Sequence, residues 1–227
     1  MSGATLPALC GSALAIGVFH TLLGPDHYLP FVALSKARAW TRRRTLLITT
    51  GFGLAHTLGT VLLGAAGLAL GLQLGWLKSV EALRGDLAAK GLLGIGLAYT
   101  GWAVWRLLRH RHTHHHTHFH AFHRHPHAHR HELPAPVLSW SLFLVFVFGP
   151  CEALIPLLMY PAAHHDAQGV ALVTLVFVLA TVGTMLTAVS LALWGLNKLK
   201  VESLTPYADV LAGATLTICG GAILAGL

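Results

Sequence analysis

Long apolar stretches that are nearly free of charged residues limit the fold of this chain more than any other feature. About 20 apolar residues suffice to cross the hydrocarbon core of a bilayer as a helix. The predicted membrane-spanning segments are 5–34, 46–77, 91–108, 137–163, 170–196 and 207–227. Only 10% of the residues are charged, against about 25% in soluble domains. The sequence therefore predicts an all-α polytopic membrane protein with six transmembrane helices, and it excludes most soluble enzymes.

The basic residues are concentrated in the segments that connect spans one to two, three to four and five to six. Cytoplasmic loops of membrane proteins carry such an excess of Lys and Arg. We therefore expect a bacterial inner-membrane protein with both termini outside the cytoplasm and a cytoplasmic loop between spans three and four. The formal net charge of +7 is interpreted as this topology signal, so no nucleic-acid partner is expected.

The first and fourth spans share a short motif. Residues 24–30 read GPDHYLP and residues 149–156 read GPCEALIP, an offset of about 125 residues. A repeat of three helices has an odd number of crossings, so its second copy inserts with the opposite orientation, as in many secondary transporters. The sequence predicts two inverted three-helix repeats, 1–108 and 137–227, joined by a disordered cytoplasmic loop at 109–136.

Both copies of the motif contain two prolines, which are Pro25 and Pro30 in the first copy and Pro150 and Pro156 in the second. A proline inside a helix removes a backbone hydrogen bond, so we expect the first helix of each repeat to be broken. Free backbone groups at membrane depth are tolerated only against protein or a wet cavity. The two breaks are therefore predicted to meet at a shared site. The alternative is that Pro and Gly only kink packed helices while the polar groups satisfy one another.

Ionisable residues lie on these breaks, although such a group near the bilayer centre costs on the order of 3 kcal/mol. Imidazole with carboxylate and one thiolate is a ligand set for nickel, cobalt, zinc or copper, whereas magnesium and calcium prefer oxygen alone. The candidate metal ligands are His20, Asp26, His27, His56, Cys151 and Glu152. For His56, a buried histidine with a purely structural role is an equal alternative.

The connection between spans three and four contains a tract of twelve histidines with no acidic residue among them. Such a composition does not pack a core, and alternating imidazoles in a polar tract are typical of metal binding. A pH sensor is the main alternative. The accessory metal-binding residues predicted here are His110, His112, His114, His115, His116, His118, His120, His123, His125, His127, His129 and His131.

These residues give the chain a resemblance to the nickel/cobalt transporter family, in the superfamily that also contains the LysE-type amino-acid exporters and thiol electron carriers. The permeases of that family carry a motif of His, four residues and Asp-His. The resemblance implies that His20, Asp26 and His27 bind the ion, although here five residues separate His20 from Asp26. The permeases' later acidic motifs are absent. The histidine tract is similar to that of the efflux and urease-accessory-like branch.

The sequence thus predicts a secondary transporter of a divalent transition metal ion, Ni²⁺ or Co²⁺ first and Zn²⁺ next, with efflux slightly favoured and no permanent cofactor. The expected partners are the metal ion and the lipid bilayer, and homo-oligomerisation is left open. The alternative is a membrane-bound metal-capture accessory protein or sensor for metalloenzyme maturation. An exporter of another small solute comes third. An enzyme is the weakest hypothesis, since no H-E-x-x-H motif occurs.

Overall fold

The computed structural model describes residues 5–70, 74–109, 135–149, 154–163, 166–198 and 205–226, and all regular structure in these ranges is helical. The helices are α1 (Thr5–Leu23), α2 (Leu29–Ala37), α3 (Arg42–Ala69), α4 (Leu74–Arg109), α5 (Ala135–Phe148), α6 (Leu154–Ala163), α7 (Ala167–Lys198) and α8 (Ala208–Leu224). Five segments of the described chain are long and apolar enough to cross a membrane: Leu6–Leu23, Arg42–Gly67, Gly75–Arg109, Ala167–Lys198 and Thr205–Leu224. The predicted all-α class is confirmed, and the five apolar helices indicate a membrane protein.

The first predicted span is broken at the first motif, as its prolines indicate. Helix α1 ends at Leu23, and Gly24 has extended backbone angles (φ −92°, ψ 91°). A 3₁₀ turn, Pro25–His27, follows, and α2 begins at Leu29 with a proline in its first turn. A proline in a first helical turn costs no intrahelical hydrogen bond, which explains why the new helix starts here.

The fourth predicted span, 137–163, is also interrupted. It contains α5, with 14 residues, and α6, with 10 residues. Each is shorter than the about 20 residues that a membrane crossing requires, so the described residues give five long apolar helices rather than the six predicted. Helix α5 ends at Phe148, and the next residue, Gly149, precedes a proline in the sequence, a position at which the helical conformation is disfavoured.

The third span is longer than predicted, because α4 begins at Leu74 and not near residue 91. The sequence predicts a loop for the charged residues between 78 and 90, which separate the second and third spans. In the structure Arg84 donates to Glu81 at 2.7 Å, and Lys90 donates to Asp86 at 2.6 Å. Such pairs three or four residues apart lie on the same helix face, so these charges are compatible with a continuous helix.

Glycines allow the closest helix contacts in the bundle. Helix α4 packs along α8, and α1 packs along α7. A Cβ atom on Gly220 would lie 2.5 Å from the backbone nitrogen of Leu93, and one on Gly17 would lie 2.9 Å from the Cβ of Ala180. Small residues at such crossings let backbones approach, which is how helices associate in lipid.

The basic residues of several helices collect at one end of the bundle. Arg106 at the end of α4 forms an ion pair with Asp209 at the start of α8. Lys36 at the end of α2 donates to Asn197 at the end of α7, at 2.6 Å. We call this the basic end, and its residues are Lys36, Arg38, Arg42, Arg43, Arg44, Arg106, Arg109 and Lys198. That the basic end faces the cytoplasm stays a prediction from the excess of Lys and Arg.

Candidate metal centre

Three histidines from separate elements come together in the described part of the chain. His20 lies in the last turn of α1, His27 in the 3₁₀ turn and His56 in the middle of α3. The ring centroids of His20 and His27 are 4.8 Å apart, and those of His27 and His56 are 5.2 Å apart. One potential ligand atom from each residue lies within 4.8 Å of the other two. We call these residues the three-histidine cluster.

The break after α1 brings His20 and His27 together although seven positions separate them. The Gly24 amide donates to the His20 carbonyl at 3.1 Å, and the chain then turns back toward α1. A Cβ atom on Gly24 would lie 2.5 Å from Nδ1 of His27 and 2.9 Å from Oδ1 of Asp26. Only glycine leaves room for this turn. The additional residue between His20 and Asp26 therefore does not remove His20 from the cluster.

Two of the three imidazoles are oriented by backbone carbonyls. Nδ1 of His27 lies 3.0 Å from the Gly24 oxygen, and Nδ1 of His56 lies 3.1 Å from the Phe146 oxygen. A carbonyl oxygen only accepts hydrogen bonds, so in both rings Nδ1 carries the hydrogen. The lone pair then resides on Nε2, which is the nitrogen available to a metal ion.

The Nε2 atoms of all three histidines are buried and have no hydrogen-bond partner among the described residues. Buried polar atoms are nearly always paired, and each that is not calls for an explanation. The alternative in which the polar groups of the breaks satisfy one another does not fit these three atoms. A purely structural His56 would also leave its Nε2 unexplained. Three imidazoles that each offer a ligand atom within 4.8 Å of the others are suited to a metal ion.

Asp26 lies beside the cluster rather than within it. Its Oδ1 is 3.3 Å from Nδ1 of His27, the nitrogen that faces away from the lone pair, and its side chain is a quarter exposed. A carboxylate in this position fixes the ring of a metal-binding histidine and raises its basicity. The structure thus places Asp26 where it can orient His27.

The second half of the chain reaches the cluster through the end of α5. Phe146 supplies the carbonyl that holds His56, and a Cβ atom on Gly149 would lie only 3.2 Å from Nδ1 of His56. The shared Gly-Pro motif indicated this approach, but a backbone carbonyl contact leaves no mark on the sequence. Cys151 and Glu152 follow directly and lie outside the described residues. The twelve histidines of 110–131 lie outside them as well.

An ion pair on α4 holds the same end of α5. Arg84 Nη2 donates to the Val147 carbonyl at 2.9 Å, and its Nη1 donates to Oε1 of the fully buried Glu81 at 2.7 Å. A Cβ atom on Gly59 would lie 2.8 Å from the Val147 oxygen. Two successive carbonyls at the end of α5 are therefore bound by α3 and α4. The contact could not be predicted, because Glu81 and Arg84 lie in a charged segment for which the sequence favours a loop.

A cavity of about 340 Å³ adjoins the cluster. The three histidines and Asp26 line one part of it. The rest of its lining includes small residues of α4, namely Gly85, Ala88 and Ala89, with further apolar side chains from α5 and α8. An ion held by three nitrogens would keep open coordination positions next to this cavity, which is the arrangement of metal sites that bind an exchangeable ligand.

Comparison of the chain with protein-family models, with curated proteins and with solved structures finds no match. The class of the protein is therefore described from its fold and site alone. It is a helical protein with helices long and apolar enough to span a membrane and with a three-histidine candidate metal centre.

Proposed function

We propose that the protein is a secondary transporter of a divalent transition metal ion, Ni²⁺ or Co²⁺ first and Zn²⁺ next, with efflux favoured. The observation that carries this proposal is the clustering of three histidines where the chain breaks between α1 and α2, with Nε2 atoms that are buried and have no hydrogen-bond partner among the described residues. Neutral imidazole is a ligand for borderline metals of this kind. A discontinuous helix at a binding site is typical of secondary transporters.

The packing of the helices supports two inverted repeats. Each half consists of an interrupted segment followed by two long helices, α1–α4 in the first half and α5–α8 in the second. Helix α4 packs on α8, α1 packs on α7, and α3 packs on α5 and α6. The contact of α1 with α7 has its counterpart in the contact of α5 with α3, and the contact of α4 with α8 is its own counterpart, whereas among the described residues the contact of α4 with α5 has no comparable counterpart between α8 and α1. Rocking of such halves against each other is the usual means of alternating access.

A packed layer separates the cluster from the basic end. Leu34, Leu92, Tyr99, Leu142, Ala212, Leu216 and Cys219 form one buried apolar group between α2, α4, α5 and α8. Leu92 also lines the cavity, so this layer begins directly beside the metal centre. An ion that leaves toward the basic end must pass through it. In the proposed cycle this layer opens when the two halves rock.

The remaining predicted groups are assigned within the same proposal. The histidine tract at 110–131 follows α4 at the basic end, where it would capture ions in the cytoplasm. Cys151 and Glu152 are assigned as further ligands of the ion. Protons compete with metal for the same lone pairs, so a proton gradient is the expected driving force.

The proposal is tested by metal flux into proteoliposomes that contain an entrapped chelating dye, with Ni²⁺, Co²⁺, Zn²⁺ and Mn²⁺ supplied separately. We expect flux of Ni²⁺ and Co²⁺ that is lost in His27→Ala. The matched control is His118→Ala, which removes one imidazole from the tract and is expected to retain flux. Unchanged flux in His27→Ala would overturn the site assignment.

The accessory or sensor function is the second candidate, and the twelve-histidine tract is the observation that favours it. Deleting 110–131 separates the two. A transporter keeps its flux, with an altered apparent affinity, because its pathway lies in the bundle. An accessory protein shows no flux in any form and loses its metal capture with the tract.

A further inference from the structure

Several exposed cations gather at the basic end, where α2 and α7 end and α3 begins. Helices α3 and α7 pack together, and Leu46 and Leu196, near these ends, contact the same buried apolar group. Lys36 at the end of α2 donates to Asn197 of α7 at 2.6 Å. We call the exposed basic residues at this junction the cation cluster, and they are Lys36, Arg42, Arg43, Arg44 and Lys198.

The positive charge of the cation cluster is not neutralised by the chain. Among the described residues, none of its side chains forms an ion pair with a carboxylate. The segments 110–134 and 199–204, which follow α4 and α7 and lie outside the described residues, contain two acidic residues and four further Lys or Arg residues. In the first half of α4, by contrast, Arg84 pairs with Glu81 and Lys90 pairs with Asp86. The cluster therefore favours an anionic partner.

Tryptophan rings hold two of these cations. The Arg44 guanidinium carbon lies 5.4 Å from the ring centroid of Trp40, and Nζ of Lys198 lies 3.8 Å from that of Trp194. Tryptophan is enriched where the hydrocarbon core meets the headgroups. Lys198 follows Trp194 by four residues, which is about 6 Å along a helix, and each headgroup region is about 5–8 Å thick. We therefore expect Lys198 to lie among the lipid headgroups.

Exposed apolar side chains adjoin the cations on the same helices. Leu47 of α3 is 64% exposed, and Leu191 of α7 is 62% exposed. Leu47 follows Arg44 by three residues and Leu191 precedes Lys198 by seven, so each leucine lies on the same helix face as its cation. A free anion or a nucleic acid would contact the cations alone. A phospholipid with an anionic headgroup would contact the cations and the leucines together.

We infer that the cation cluster binds an anionic phospholipid, whose phosphate contacts Arg44 and Lys198 while its acyl chains lie along Leu47 and Leu191. Clusters of about four to eight Lys or Arg residues beside a membrane helix are typical of sites for anionic lipids. An excess of basic residues that only orients the chain in the membrane requires no bound lipid. The inference is independent of metal transport and requires only that these helices lie in a membrane.

The test uses the purified full chain in neutral detergent micelles at about pH 8, where the histidines of the tract are uncharged. Phosphatidylglycerol and phosphatidylcholine with the same fluorescent acyl chain are titrated, and fluorescence anisotropy measures binding. We expect phosphatidylglycerol to bind about 25-fold more tightly, the factor for two cations that each contribute about 1 kcal/mol. The difference should be lost on raising the salt from about 0.1 M to about 1 M, which shortens the screening length from about 10 Å to about 3 Å.

Two variants locate the headgroup. Lys198→Gln and Arg44→Gln are each expected to reduce the affinity for phosphatidylglycerol about fivefold, the factor that corresponds to about 1 kcal/mol per cation. The affinity for phosphatidylcholine is expected to stay the same. The matched control is Lys78→Gln, which removes the same charge from an exposed position at the start of α4 and is expected to bind both lipids as the parent does. All three side chains are exposed, so we expect the variants to fold.

Equal affinity of the parent for the two lipids would overturn the inference. An equal loss in Lys78→Gln and in the two cluster variants would do the same, because net charge alone would then explain the binding. A preference for phosphatidylglycerol that persists in both cluster variants would place the lipid elsewhere and overturn the site. Inorganic phosphate is added in excess as a competitor. Displacement of the lipid by phosphate would show a site for a free anion, whereas retention of the lipid supports the contribution of its acyl chains.

Discussion

Nδ1 of His56 lies 3.1 Å from the carbonyl oxygen of Phe146, and this hydrogen bond joins the two halves of the chain at the candidate metal centre. The donor is on α3 of the first half, and the acceptor is in the last turns of α5, where the second half is interrupted. The contact fixes the tautomer of the ring and leaves the lone pair on Nε2. Its predicted consequences follow from this geometry.

Gly149→Ala is expected to weaken metal binding about tenfold without unfolding the protein. The new methyl group would lie 3.2 Å from Nδ1 of His56 and 3.2 Å from the Phe146 oxygen, so the ring and the carbonyl must move apart. Loss of such an outer partner costs about 10- to 100-fold in metal affinity. Equilibrium dialysis with Co²⁺ measures the effect. The control is Gly94→Ala on α4, which meets nothing within 4 Å, and equal affinity of the two variants would contradict the prediction.

Removal of any one imidazole of the cluster is expected to reduce metal affinity by more than the roughly 100-fold upper figure for an outer partner. His20→Ala is the most informative variant, because His20 lies on α1 whereas Asp26 and His27 lie together in the 3₁₀ turn. The structure includes His20 in the cluster. Isothermal titration of the tract-deleted protein, which lacks the competing histidines of 110–131, measures the loss. An affinity equal to that of the parent would exclude His20 as a ligand.

Asp26→Asn is expected to lower metal affinity 10- to 100-fold while the fold is retained. The amide keeps the shape of the side chain but loses the negative charge 3.3 Å from Nδ1 of His27. The ring becomes less basic, and the charge of the ion is less well balanced. Asp86→Asn, at a partly exposed carboxylate of α4, is the matched control. If the two substitutions have the same effect in Co²⁺ titrations, Asp26 has no part in metal binding.

The sequence was sufficient to find the three histidines, because ionisable groups in apolar spans are costly and stand out at once. It also indicated the break at Gly24-Pro25, since the missing donor of proline acts locally. The six predicted spans were not confirmed. Hydropathy identifies an apolar stretch but does not show that two separate helices, α5 and α6, form within it. Nor could spacing alone show that the second half reaches His56 through a backbone oxygen.

The charged residues of α4 show a second feature that the sequence did not predict correctly. A loop at residues 78–90 was predicted because charged residues usually lie outside the membrane. Glu81 is instead fully buried, and its partner Arg84 reaches across to α5. This arrangement depends on the close approach of α5 at Gly59, a long-range contact. Only the three-residue spacing of the two charges hinted at a helix.

Arg84→Met is expected to destabilise the protein and to weaken the metal centre as well. The substitution leaves the buried Glu81 without its cationic partner and the Val147 carbonyl without its donor, and breaking a buried ion pair costs about 3–5 kcal/mol. Lys90→Met is the matched control, because it breaks the exposed Asp86 pair, which contributes about 0–1 kcal/mol. Thermal unfolding in detergent measures stability, and Co²⁺ titration measures affinity. Since Arg84 and His56 hold successive carbonyls of α5, Arg84→Met should lower both quantities. A variant that is less stable but binds Co²⁺ with the parent affinity would show that Arg84 supports the bundle alone and that His56 is positioned without it.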